Sequence, residues 1–186
     1  GLHTVLLSRL VGASGRVLAV EPAADNLALL RANLGRAAAR NVEVVEAAAW
    51  DHAGTLSLVR SDANSGDHRA TPAGAGARVR AVRLDDLLAE PAPVHVVKTD
   101  VQGGDHRAIA GLSGAIERCR PILVVEFWPE GIRWLGDDPV EAAAGYPARG
   151  YRVEILGSGD APEAPQDLVA RADADPSGFL TLVCRP

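Results

Sequence analysis

One lysine, Lys98, stands among nineteen Lys and Arg residues in this chain. It precedes Asp100 by two positions in the run Val94-His95-Val96-Val97-Lys98-Thr99-Asp100. The chain is rich in Ala, Gly, Arg and Pro and has no Met, a bias that converts exchangeable lysines to arginine. A lysine kept against that bias marks a place where a compact ammonium serves and a planar guanidinium does not. Two further apolar runs end in acid, 17–20 at Glu21 and 122–125 at Glu126. Carboxylates at strand ends can accept a proton from a reacting group or a hydrogen bond from a ribose hydroxyl. The simpler alternatives are a helix cap, a solvated acid, or a Lys–Glu ion pair joining two strand ends.

The elements that must position these groups alternate along the chain. Val5, Leu6, Leu7, Leu10 and Val11 form an apolar face at helical spacing, stopped by Gly12 and Gly15. Residues 16–20 read as a buried strand, about 25–38 as a helix carrying Leu27, Leu30 and Leu34, and 42–47 as the next strand. Residues 55–59 and 78–83 alternate like half-exposed strands. Between them, 61–77 reads as a long polar loop and a candidate substrate-side flap. Strands follow at 94–98 and 122–126, around a helix over 105–117 that Gly111 and Gly114 weaken. Residues 139–149 read as partly helical. Residues 151–156 and 179–184 read as strands separated by a Pro/Gly/Asp-rich segment without a helix, which predicts antiparallel pairing. This βαβ-type alternation is the signature of an α/β fold. We read a single domain over 1–186, with an inserted β segment and loop at about 54–83.

Composition excludes several classes. Net charge is −5 and the arginines are scattered, so there is no basic stripe for nucleic acid. No apolar run approaches the ~20 residues of a membrane span, and no signal peptide is recognisable. Cys119 and Cys184 lack disulfide-framework or metal-ligand spacing and fit ordinary thiols in a reducing cytoplasm. The chain has no initiator Met and opens inside a helix, which reads as a fragment lacking its N-terminus. Oligomeric state is not legible.

Strand periodicity places Val94, Val96, Lys98 and Asp100 on one face and His95, Val97 and Thr99 on the other. Lys98 is therefore expected at a partly covered rim, with Asp100 and Glu126 as available partners. Glu21 suits a ribose, in either a dinucleotide or an adenosyl cofactor. Asp51 suits an adenine amino group or, equally simply, a turn before Gly54. His95, His106 and His68 are other possible bases, His95 being expected on the core-facing side. Asp100, Asp105 and Glu126 could offer oxygen ligands to Mg²⁺, but Lys98 opposes a cation there, and no metal is assigned.

At Val20-Glu21-Pro22, Asn33, Trp50-Asp51, Leu84-Asp85-Asp86-Leu87 and Lys98-Thr99-Asp100-Val101-Gln102-Gly103-Gly104-Asp105, the chain resembles the FkbM family of S-adenosylmethionine-dependent methyltransferases. The resemblance runs from residue 1 to about 130 in the family's order. Its most specific element is the family's K-I-D-V-E-G-x-E, here KTDVQGGD, followed by Ala110-Gly111-Leu112 and, after Pro121, by Glu126. Gln102 and Asp105 stand where the family commonly has glutamates, and Gln102 can neither act as a base nor add negative charge. Gly1 corresponds to the last glycine of the family's D-x-G-A-N-x-G turn.

The resemblance implies a Rossmann-like class I methyltransferase sheet, mostly parallel, with an antiparallel C-terminal strand and its first strand missing. It implies S-adenosylmethionine as cofactor, contacted by Gly1, Glu21, Pro22, Trp50 and Asp51. It implies Asp100, Lys98 and Glu126 as catalytic residues, with Gln102 and Asp105 on the substrate side. The acceptor it implies is an oxygen, less readily a nitrogen, of a small molecule or sugar. Lacking most of the glycine-rich turn, the chain itself is expected to bind the cofactor poorly. Two other readings stay open. Glu21 equally suits an NAD(P)-dependent oxidoreductase, and Gln102 equally suits a non-catalytic relative kept as a binding module.

Overall fold

The computed structural model describes residues 1–88, 92–158 and 164–186, and the chain packs as two compact units. The first comprises Gly1–Ala49 and Ala53–Val82; the second comprises Trp50–His52 and Arg83–Pro186. The inserted β segment belongs to the first.

The first unit begins with α1 (Leu2–Val11), β1 (Val17–Glu21), α2 (Ala24–Arg36) and β2 (Val42–Glu46). β1 and β2 pair in parallel, in a register that sets Glu21 beside Glu46. α2 buries Leu27, Leu30 and Leu34, the three leucines whose spacing predicted it. α1 forms as predicted, but its apolar side chains do not define a core face. Leu2 is 79% exposed and Leu6, Leu10 and Val11 are also exposed, while Ser8 is the buried position. Asn41 holds the helix end instead. Its side chain donates to the carbonyls of Ser8 and Gly12, and Ser8 Oγ donates to Asn41 Oδ1 at 2.6 Å.

A second sheet follows: β3 (Ala48–Ala49), β4 (Gly54–Val59), β5 (Arg69–Thr71) and β6 (Ala77–Val82), in the order β3-β6-β4-β5. The loop expected over 61–77 is more ordered than its composition suggested. It contains a 3₁₀ turn at Ser65–Asp67 as well as β5. It is tied to α2 by Asn26 Nδ2, which donates to the Ser65 carbonyl at 2.9 Å. His68 Nδ1 accepts from the Ser61 backbone N–H.

The second unit holds a four-stranded sheet in the order β7-β8-β10-β9, from β7 (Val96–Thr99), β8 (Ile122–Phe127), β9 (Arg152–Ile155) and β10 (Leu180–Arg185). Its helices are α3 (Asp105–Ala110), α4 (Ser113–Cys119), α5 (Pro129–Trp134), α6 (Pro139–Ala148) and α7 (Pro165–Ala174). Alternate β8 residues Leu123, Val125 and Phe127 are buried in a core that includes Ile109, Ile116, Tyr146 and Leu182. Val124 and Glu126 occupy the other, half-covered face.

Three expectations need correction. Among the described residues the strands form three sheets, and four of their seven pairings are antiparallel: β4 with β5 and β6, and β10 with β8 and β9. The sheets are thus mixed and do not bear out a mostly parallel arrangement, part of the antiparallel pairing belonging to the inserted segment; the antiparallel final strand is as predicted. The single helix over 105–117 is two helices. They break at Gly111, where a Cβ would lie 2.0 Å from the Trp50 carbonyl oxygen. Finally, α7 lies between β9 and β10, so their antiparallel pairing does not come from a missing helix. Pro165 opens α7 at its first turn, where a missing N–H costs nothing, and Leu168, Val169 and Ala172 are buried. The part of that segment at 159–163 lies outside the described residues. No helix among the described residues is long and apolar enough to cross a membrane.

Candidate active site

β7 and β8 run in parallel with Lys98 beside Val124 and Thr99 beside Val125. One residue further on, Asp100 follows the end of β7, and Glu126 is the penultimate residue of β8. Ligands of α/β proteins gather outside such carboxyl ends. Lys98 Nζ lies 2.9 Å from Asp100 Oδ2, the same-face pairing that strand alternation predicts.

The chain then turns sharply. Gln102 adopts φ 54° and Gly103 φ 91°. At Gly103 the backbone needs glycine twice over, since a Cβ there would also lie 2.5 Å from the Gly131 carbonyl carbon. Both Asp105 carboxylate oxygens accept from the Val101 N–H at 3.4 Å, closing the loop onto α3.

The turn swings Gln102 back over the strand ends. Its Nε2 donates to Asp100 Oδ1 at 3.3 Å and to Glu126 Oε1 at 3.2 Å. A primary amide has two N–H donors, so one side chain can bridge two carboxyl groups. A glutamate in this place would supply no donor and a further negative charge. Gln102 is therefore a coherent part of the cluster and not merely a lost base.

The acids differ in surroundings. Asp100 is the open one, its side chain 41% exposed. Asp105 is 3% exposed; burial, reinforced by the nearby Asp100 charge, pushes its pKa up to about 7. Burial also raises Glu126, to about 8, with Asp100 and Asp105 repelling its charge. Near neutrality the cluster is thus less acidic than its three carboxyls suggest, and Lys98 offsets Asp100. Among the described residues no group of three or more His, Cys, Asp or Glu side chains is placed to hold a metal ion.

Lys98, Asp100, Gln102, Asp105 and Glu126 are brought together in the second unit. The remaining predicted residues are placed otherwise. Trp50 is 1% exposed and is a packing residue, with Arg107 stacked 5.3 Å from its ring centroid. Asp51 accepts from Arg107 Nη1 at 3.1 Å and contacts His52, so its carboxylate is already engaged. Arg107 also grips both oxygens of Asp137, at 2.6 and 2.7 Å, and His106 Nε2 meets the same carboxylate at 2.9 Å. Burial opposes ionisation of Asp137, but the Arg107 and His106 bonds prevail and hold its pKa below the usual range. His106 is thus committed to Asp137. His95 is exposed ahead of β7, not core-facing, and His68 is held in the first unit.

In the first unit, Glu21 ends β1 and accepts from the Ala23 N–H at 2.8 Å with one carboxylate oxygen. Pro22 follows, half-buried. Gly1 precedes α1, and a Cβ on it would lie 3.2 Å from Leu30 Cα.

The Arg107–Asp137 ion pair was not legible in the sequence, since one arginine among eighteen carries no local signal. Asp85 was legible only as part of a motif. Its carboxylate accepts from the Gly114 and Ala115 N–H groups at 2.8 and 2.9 Å, capping α4 from a distant segment.

The fold and this cluster define an α/β domain whose chemistry-bearing groups gather at parallel strand ends. The chain belongs to the FkbM methyltransferase family: residues 2–153 match its domain model, described as the methyltransferase FkbM domain. Among solved structures, it is similar to a methyltransferase FkbM from Methylobacillus flagellatus KT, with 18% identity and a TM-score of 0.58. That similarity covers 98% of this chain and 41% of the Methylobacillus chain, so this chain spans well under half of that protein. A lower similarity is to a precorrin-6y C5,15-methyltransferase from Geobacter metallireducens GS-15, with 20% identity and a TM-score of 0.44, covering 92% of this chain and 67% of that one. No curated protein matches.

Proposed function

We propose that this protein transfers a methyl group from S-adenosylmethionine to an oxygen of a small molecule or sugar. The observation that carries this reading is the exposed Asp100 carboxylate, held between Lys98 and Gln102 at the ends of β7 and β8.

Glu21 fits the cofactor. One of its oxygens is fixed by the Ala23 N–H, and the other has no partner among the described residues, leaving it to accept from ribose hydroxyls. Pro22 and Gly1 complete the contacts assigned to the cofactor. When bound, S-adenosylmethionine supplies an electrophilic methyl on a sulfonium centre.

The rest falls to the chain's own side chains. Asp100 orients the acceptor hydroxyl and takes its proton. The Lys98 ammonium, 2.9 Å from Asp100 Oδ2, holds that carboxylate in place beside the acceptor. Gln102 fixes the carboxylate's direction and leaves each oxygen further lone pairs. Glu126, raised by burial and by its acidic neighbours, retains a proton near neutrality and so spares Asp100 a second negative neighbour. Asp105 shapes the substrate side by locking the loop that carries Gln102.

The test is in two parts. Calorimetric titration of the full-length protein with S-adenosylhomocysteine should show saturable binding that Glu21→Ala weakens; a folded protein that does not bind removes the cofactor assignment. With a methyl acceptor found by screening hydroxylated compounds, Asp100→Asn should lower turnover by roughly 10²–10⁴-fold, the worth of a positioned base. Unchanged turnover removes Asp100 from the chemistry.

A further inference from the structure

The first unit has a polar cleft of its own. This cleft, of about 310 Å³, is lined by Pro22, Glu46, Ala47, Arg78, Val79 and Arg80. Pro22 and Ala47 directly follow β1 and β2, so the cleft opens at the carboxyl edge of that parallel pair. Its volume is that of a small-ligand site.

The charges lining it are not balanced internally. Arg78 and Arg80 are exposed and two apart on β6, hence on one face and about 7 Å apart along the strand. Arg80 has no hydrogen-bond or ion-pair partner among the described residues. The polar contact of Arg78 is to the neutral Ser57 hydroxyl, at 3.4 Å. The one acid in the lining, Glu46, lies 3.6 Å from Arg31 of α2 and so has a counter-charge of its own. In a chain of net charge −5, a cleft with two arginines and no carboxylate on either of them stands out.

The geometry points to an oxyanion-binding site in this cleft, with Arg78 and Arg80 reading the carboxylate or phosphate of a small molecule. Guanidinium groups match both anions through paired N–H donors, and flexible stems at this spacing can converge on one group or span two oxygens. The cleft shares Pro22 with the contacts proposed for the cofactor, but the arginines are not among those contacts, and the test uses no methyl donor, so its failure leaves the cofactor reading standing.

Two probes separate the sources of such an anion: glucuronate for a sugar acid, and inorganic phosphate for a phosphate ester. Glucose is the uncharged control. Each is titrated into the full-length protein while the arginine Nε–Hε resonances are followed by NMR. Saturable shifts at Arg78 and Arg80 are expected with at least one anion and not with glucose. Arg78→Gln/Arg80→Gln should weaken that binding by about tenfold or more, as loss of charge-assisted hydrogen bonds requires. Circular dichroism confirms that the variant folds; if it does not, the single Arg80→Gln variant carries the test. The proposal is overturned by no saturable shift with either anion at tens of millimolar, by equal binding of glucose, or by undiminished binding in the variant.

Discussion

Asp105→Asn tests whether a protonated carboxyl is built into the core beneath the candidate site. Asp105 is almost wholly buried, and its pKa rises from 3.8 to about 7, chiefly through burial and then through Asp100. A carboxyl raised in the folded state stabilises the fold only while it keeps its proton. Its contribution is complete below the unfolded pKa, declines as pH rises from about 4 to about 7, and levels off above. At about 1.4 kcal/mol per tenfold change in proton affinity, this rise corresponds to on the order of 4 kcal/mol. Asparagine is nearly isosteric, keeps an acceptor for the Val101 N–H, and cannot ionise. At about pH 3, below the unfolded pKa, the two proteins should therefore have similar stability. At pH 8 the variant should be the more stable, by up to that amount. Other titrating groups contribute alike to both proteins, with Glu126 as the exception. It loses a repelling neighbour in the variant, which enlarges the effect. Urea unfolding at both pH values measures the difference. Parallel pH dependence in the two proteins, or a variant less stable at pH 8, refutes the buried-proton argument.

Two further outcomes follow from the same geometry. Gln102→Glu removes the donor shared by Asp100 and Glu126 and adds a negative charge, so the Glu126 midpoint should move further upward; carboxyl ¹³C titration reads it, and an unmoved midpoint means that the bridge is not formed. Asp85→Ala strips the partners from the first N–H groups of α4 and should cost about 1–2 kcal/mol in urea unfolding. Asp85→Asn should recover part of the loss, and an alanine variant as stable as the parent would show that the cap contributes nothing.

The KTDVQGGD segment shows how local and distant information divide. Alternation along one strand put Lys98 and Asp100 on the same face, and the structure pairs them at 2.9 Å. Leucine spacing likewise gave α2, and apolar runs ending in acid gave β1 and β8. These inferences needed only the geometry of a few consecutive residues. The resemblance to the FkbM family, resting on motif order, extended the reading across most of the chain.

What Trp50, Asp51, Asp85 and Gln102 do depends on residues far along the chain. Asp51 meets Arg107 across 56 positions, Asp85 caps a helix 29 positions away, and Gln102 reaches Glu126 across 24. Nothing near Trp50 in sequence signals that glycines at 104 and 111 leave room for its ring and carbonyl. Nor does composition reveal that Asp105 is buried while Asp100 is open. Charge state follows desolvation and neighbouring charges, which exist only once the strands and loops have packed. The residue types and their local spacing thus named the acids at the strand ends, and tertiary packing alone decided which of them are buried and which stand open to solvent.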